Sequence, residues 1–99
     1  IVLPVVMKYN LPGMEEKVQR MSEAMQYKDH SVDAFIKNLE NLLDRIKIPN
    51  SLGEINVPED CAGRIAEKAM KDQAYATNPK VASLAEMKEM VLQSIQKAR

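Results

Sequence analysis

The sequence predicts an all-α fold of four to five helices packed antiparallel through short connections. Three observations predict it. Apolar residues recur at spacings of three and four along most of the chain. Prolines, glycines and capping residues fall between those stretches, where helices start and stop. No stretch alternates apolar and polar residues long enough to mark a strand.

The first segment, "LPVVMKYN" (residues 3–10), is apolar and helical in rhythm, with Pro4 near its start and Asn10 near its close. Pro12 and Gly13 then punctuate the chain. Next, Met14, Val18, Met21 and Met25 form one stripe. Glu15 and Glu16 suit the positive end of that helix dipole. Ser31 is the expected N-cap of the next helix, where a side-chain oxygen accepts from a free backbone N–H. Its face is Val32, Phe35, Ile36, Leu39, Leu42, Leu43 and Ile46, and Pro49 lies just past its end.

"IPNSLGEINVP" (residues 48–58) is a connection carrying Pro49, Gly53 and Pro58, in which Leu52 and Ile55 are expected to tuck a short turn against the core. Pro58 suits the first position of a further helix, with Ala62, Ile65, Ala66, Ala69 and Met70 as its buried stripe. Small side chains there predict close approach of a neighbour. Asn78–Pro79 stops this stretch, with Asn78 suited to left-handed dihedrals. Ser83 and Glu86 have capping-box spacing. The last helix carries Leu84, Met87, Val91, Ile95 and Ala98 on its apolar face, with Lys97 and Arg99 at its negative end.

Ninety-nine residues make one small domain, 1–99, with a modest core. Fourteen basic side chains balance fourteen acidic ones, so the chain lacks the basic excess that nucleic-acid binding requires. The apolar run from Ile1 to Met7 is far shorter than the roughly 18 residues of a membrane span and carries no basic lead. No membrane or nucleic-acid partner is therefore expected. Cys61 is the sole cysteine, which fits a reducing, cytoplasmic setting. The start at Ile1, without a methionine, is read as the cut end of a longer chain.

The residues offer little chemistry by themselves. His30 is the single histidine and is expected to be a solvated loop residue, because a ligand or base needs partners. Cys61 lies in a first helical turn, where a thiol pKa can fall, but Glu59 and Asp60 beside it oppose that. The pairs Glu15–Glu16 and Glu59–Asp60 read as dipole compensation. The methionines sit largely at core spacing, Gly13, Gly53 and Gly63 are too scattered for a phosphate loop, and no Cys/His pair has metal spacing. The stretch "KDQAYATNPK" (residues 71–80) stands out, because its small side chains leave room beside the backbone.

Three stretches in order carry a family resemblance. "AEKAMKDQAYATNPK" (residues 66–80) resembles the C-terminal signature of the iron-containing (group III) alcohol dehydrogenases: an alanine-rich helix, an Asp, small residues, then Asn-Pro-Arg. "IPNSLGEINVPED" (residues 48–60) resembles the Leu-x-Glu-x-Gly turn that precedes it, with Asn56 in place of glycine. "LPVVMKYN" resembles the leucine-proline helix of the same family, which ends in an aromatic-Asn pair.

The resemblance implies a fragment of the helical C-terminal domain of a dehydroquinate synthase-like, iron alcohol dehydrogenase fold. The parent would be an oxidoreductase interconverting alcohols and aldehydes, using NAD(P) held by an α/β half and iron, or another divalent metal, held by one Asp and three His. The last two His ligands would precede the leucine-proline helix, so this piece would hold no catalytic, cofactor or metal residue and be inactive alone. By the same resemblance Ala74 contributes to a substrate-pocket wall, and Asn10, Asp72, Asn78 and Pro79 are structural signature positions. Lys80 replaces the usual arginine and loses its two-pronged guanidinium. Excision would expose apolar helix faces and promote a homo-oligomer. Glycerol dehydrogenases and dehydroquinate synthases share the architecture, and the Asp-to-Asn-Pro signature favours the iron branch over them. A free-standing helical interaction module is the rival reading, resting on the methionine-rich apolar faces.

Overall fold

A computed structural model describes residues 1–97, so the expectations for Ala98 and Arg99 lie outside the described residues. Five α-helices and no strand occur among them: α1 Leu3–Asn10, α2 Glu15–Ala24, α3 Val32–Arg45, α4 Ala62–Met70 and α5 Leu84–Lys97. Three short 3-10 turns, Gly53–Ile55, Glu59–Cys61 and Gln73–Thr77, punctuate the second half.

Pro4 occupies the first turn of α1, where its missing N–H costs nothing. Gly13 turns the chain at φ +90°, and its N–H donates to Glu15 Oε1 at 3.1 Å, so α2 is entered through a local lock. The bond from its own backbone N–H, and after it the bond from Gly13, hold the Glu15 carboxyl below its usual range. Ser31 caps α3 as expected, its Oγ accepting from Ala34 N–H at 3.1 Å. The Ser83–Glu86 box is also formed, with both reciprocal bonds at 3.1 Å.

The first three helices meet on Leu11, Val18, Phe35 and Ile36, flanked by Met7, Met21, Tyr27 and Val32. The Tyr27 and Phe35 rings pack edge to face with centroids 6.1 Å apart. The most extensive helix interface is α4 on α5, where Ala62 and Ala66 are fully buried, as the alanine stripe predicts. Helix α1 touches both α3 and α5 and so joins the two parts. Lys8 and Glu40 add an ion pair of 2.9 Å between α1 and α3, too exposed to contribute more than about 1 kcal/mol.

The molecule measures 40 × 29 × 18 Å. Its thin dimension is roughly two helix diameters, so few side chains can be enclosed on all sides. Several expected core positions are accordingly exposed. Met25, Ile46 and Leu84 lie at or just beyond helix ends, where no neighbour covers them, and Ile46 is 57% exposed. Ile55 also faces outward, while Leu52 is tied in through its N–H to the Ser94 carbonyl at 2.8 Å. Pro58 does not open an α-helix. Its carbonyl accepts from Cys61 N–H across a tight 3-10 turn, and regular α4 begins at Ala62.

Candidate functional site

The segment following α4 is shaped by Asp72. It caps the Gln73–Thr77 turn, its Oδ1 accepting from Ala74 N–H at 2.8 Å. Thr77 Oγ1 donates to the Ala74 carbonyl at 3.1 Å and closes the turn from the other side. Asn78 follows with φ −65° and ψ 138°. It is therefore extended rather than left-handed as the Asn-Pro reading expects, because Pro79 disfavours helical dihedrals at the preceding residue.

That conformation presents the Asn78 amide to α1. Asn10 Nδ2 donates to Asn78 Oδ1, and Asn78 Nδ2 donates back to Asn10 Oδ1, both at 2.9 Å. Asn78 Nδ2 also donates to the Lys80 carbonyl at 2.7 Å. The Tyr75 hydroxyl donates to the Ala82 carbonyl, drawing the buried Ala82 under the turn.

A second set of contacts lies beside the first. The Tyr9 hydroxyl donates to Glu86 Oε2 at 2.9 Å, with the Val81 carbonyl 3.3 Å away. Lys80 Nζ sits 5.6 Å from the Tyr9 ring centroid, a cation–π distance. The Ser83 N–H, followed by the Tyr9 and Ser83 hydroxyls, holds the Glu86 carboxyl below its usual range. The Glu86 bond in turn raises the Tyr9 phenol.

These bonds frame a cleft of about 300 Å³ between α1, the end of α4, the 73–77 turn and α5. Asn10, Asp72, Ala74 and Asn78 all line it, although they are separated by up to 68 residues in sequence. Pro79 instead lines a larger apolar groove on the α1–α2 side. Val6, Ala69, Tyr75, Ala82, Met87 and Met90 complete the wall of the cleft, and sequence reasoning did not name them as site residues. Met87 carries the signal of an apolar helix face, which marks a core residue and a pocket residue alike. Tyr9 was legible only as the aromatic half of the aromatic-Asn pair.

The remaining candidates stay apart from the cleft. His30 is not simply solvated, for its Nε2 lies 3.0 Å from the Tyr27 carbonyl. The Cys61 sulfur accepts from Arg64 Nη2 at 3.1 Å and is partly buried. Among the described residues no three His, Cys, Asp or Glu side chains converge as a metal would require. The chain has one imidazole, and among the described residues no carboxylate or thiol pair gathers with it into an iron-type donor set. Asn56 takes left-handed φ 70°, at the place where the Leu-x-Glu-x-Gly turn has glycine. Asn tolerates that region better than other side chains, which explains the exchange. No helix among the described residues is long and apolar enough to cross a membrane.

The model of the Fe-containing alcohol dehydrogenase family, C-terminal, matches residues 1–95. The chain is 27% identical over 99 residues to a 4-hydroxybutyrate dehydrogenase from Cupriavidus necator, covering 96% of this chain and 25% of the relative. It thus spans a quarter of that relative's length. No solved structure matches it. From the helical architecture and a match along nearly its whole length, the chain belongs to the iron-containing alcohol dehydrogenase family, as a piece of its C-terminal helical part.

Proposed function

We propose that this chain is the C-terminal helical segment of an iron-dependent, NAD(P)-linked dehydrogenase that interconverts small alcohols and aldehydes. Its contribution is one wall of the substrate pocket, at Ala74, and the frame that holds that wall. The reciprocal Asn10–Asn78 amide pair is the observation that carries this reading. It ties the end of α1 to the turn bearing Ala74, so that the small side chain stands over a formed cleft. Asp72 supports the same turn from its other end. Residues outside this chain supply the metal and the nicotinamide cofactor, and the segment alone is inactive. The parent works in the cytoplasm without a nucleic-acid or membrane partner. Alone, the segment self-associates through exposed apolar positions such as Leu3, Val81 and Leu84. The similarity to the Cupriavidus necator protein adds 4-hydroxybutyrate to the substrates worth trying.

Two measurements test the proposal. Purified 1–99 should bind no stoichiometric iron and reduce no aldehyde with NADH or NADPH. Tight equimolar iron binding would overturn the assignment of the metal to other residues. In the full-length enzyme, Ala74→Phe should raise KM for an alcohol substrate on the order of tenfold or more by filling the pocket wall. An unchanged KM would remove Ala74 from the pocket.

A further inference from the structure

The loop between α4 and α5 is held from outside by two adjacent residues of α1. Of residues 73–82, Ala82 alone is buried, and Val81 is 89% exposed, so the loop has little packing of its own. Asn10 grips its middle, at Asn78. Tyr9 grips its far end. The phenol ring carries the Lys80 ammonium over its face, and its hydroxyl lies between Glu86 Oε2 at 2.9 Å and the Val81 carbonyl at 3.3 Å. Glu86 is fixed in turn by its reciprocal bonds with Ser83 at the start of α5. The Tyr9 hydroxyl therefore joins α1, the end of the loop and the first turn of α5 at one point.

A shift at Val81 would not stay there. The next residue, Ala82, accepts through its carbonyl from the Tyr75 hydroxyl, and Tyr75 adjoins Ala74 in the 73–77 turn. Movement at residues 81–82 is passed through the Tyr75 side chain to the residue that stands over the cleft. Tyr9 itself does not line that cleft and faces a separate one with Glu86 and Glu89. We propose that Tyr9 is a positioning residue for the substrate pocket: it latches the end of the 73–82 loop to α1 and so fixes where Ala74 stands in the pocket wall. The effect falls on substrate binding and leaves the chemical step alone, because a wall contact is the same in the ground state and the transition state. The inference rests on the reading of the cleft as part of the substrate pocket.

The test is Tyr9→Phe in the full-length enzyme, which removes the hydroxyl and keeps the ring under Lys80. With n-butanol or 4-hydroxybutyrate as substrate, KM should rise about threefold to tenfold, the value of one hydrogen bond, while kcat stays within about twofold. Amide hydrogen exchange of residues 73–82 should speed up by about the same factor, because the loop opens only when the latch is broken. A fall in kcat as large as the rise in KM overturns the positioning role. Unchanged KM or unchanged loop exchange overturns it as well. If Ala74→Phe raises KM and Tyr9→Phe does not, this inference alone falls. If neither variant moves KM, or the enzyme oxidises neither substrate, the pocket reading falls and takes this inference with it.

Discussion

Asn10 and Asn78 face each other amide to amide, each donating to the other at 2.9 Å across 68 residues of sequence. Asn10 is only 9% exposed, so the bonds form where water competes poorly. Replacing either by alanine strands the partner amide, and the expected loss is about 1–3 kcal/mol. The double variant should lose less than the sum, because the second removal strands nothing further. Urea unfolding of the four proteins of this cycle measures the coupling, and strict additivity would show that the pair does not act as a unit.

Gly53 and Gly63 should respond to alanine with opposite signs. Gly53 carries no unusual φ, but a Cβ there would stand 2.7 Å from the Ile95 backbone carbonyl oxygen. Its neighbour Leu52 is already bonded to the Ser94 carbonyl, so the two segments cannot part freely. Gly53→Ala is expected to destabilise by about 1–3 kcal/mol. At Gly63 the nearest atom is the flexible end of Lys88 at 3.9 Å. Gly63→Ala lies in α4 and should stabilise by about 0.4–1 kcal/mol through helix propensity and a less mobile unfolded chain. Thermal melts of the two variants against the parent chain decide both signs.

The Glu86 carboxyl has a pH signature. Its folded pKa lies below the ordinary 4.5, chiefly through the Ser83 N–H and the Tyr9 hydroxyl. A lowered pKa means that its stabilising contribution is complete above about 4.5 and is lost as pH falls through the folded value. Glu86→Gln should flatten that part of the Tm-against-pH curve. Tyr9 is the mirror case, raised above 10.0 by the same bond, so its contribution is complete below that pH and lost as pH rises through the folded value. Ultraviolet titration of tyrosinate should show one phenol ionising earlier in Glu86→Gln than in the parent chain.

The core of the first three helices contains one strong position and one liability. Phe35 is buried against Tyr27, and Phe35→Ala should cost about 3–5 kcal/mol. Ser22 is fully buried, yet its Oγ has no hydrogen-bond partner among the described residues. Ser22→Ala should therefore be neutral or stabilise by up to about 1 kcal/mol, since it removes a desolvated hydroxyl. Chemical denaturation of the two variants separates these effects, and a large loss at Ser22 would point to a bridging water.

Local chemistry made much of this protein legible in its residues. The Ser31 cap, the Ser83–Glu86 box, the turn at Gly13 and the alanine face of α4 follow from side chains acting on backbone within a few positions. Family resemblance named Asn10, Asp72, Ala74, Asn78 and Pro79, of which the first four line one cleft and Pro79 does not. The misread core positions at helix ends share one cause. Met25, Ile46 and Leu84 continue apolar stripes at helical spacing, but periodicity fixes only which face a residue occupies. Whether another element covers that face at a helix end depends on where the chain goes next.

The sequence by itself determined the helices, several of their caps and the family, because spacing, capping and turn residues are encoded within a few positions of one another. Only the tertiary structure decided that Asn10 reaches Asn78, that Tyr9 reaches Glu86, and that Val6, Met87 and Met90 share a cleft with Ala74. Those relations depend on how α1 lies against α5 and the 73–77 turn. Packing sets that placement through contacts between residues far apart in the chain, and no local pattern records it.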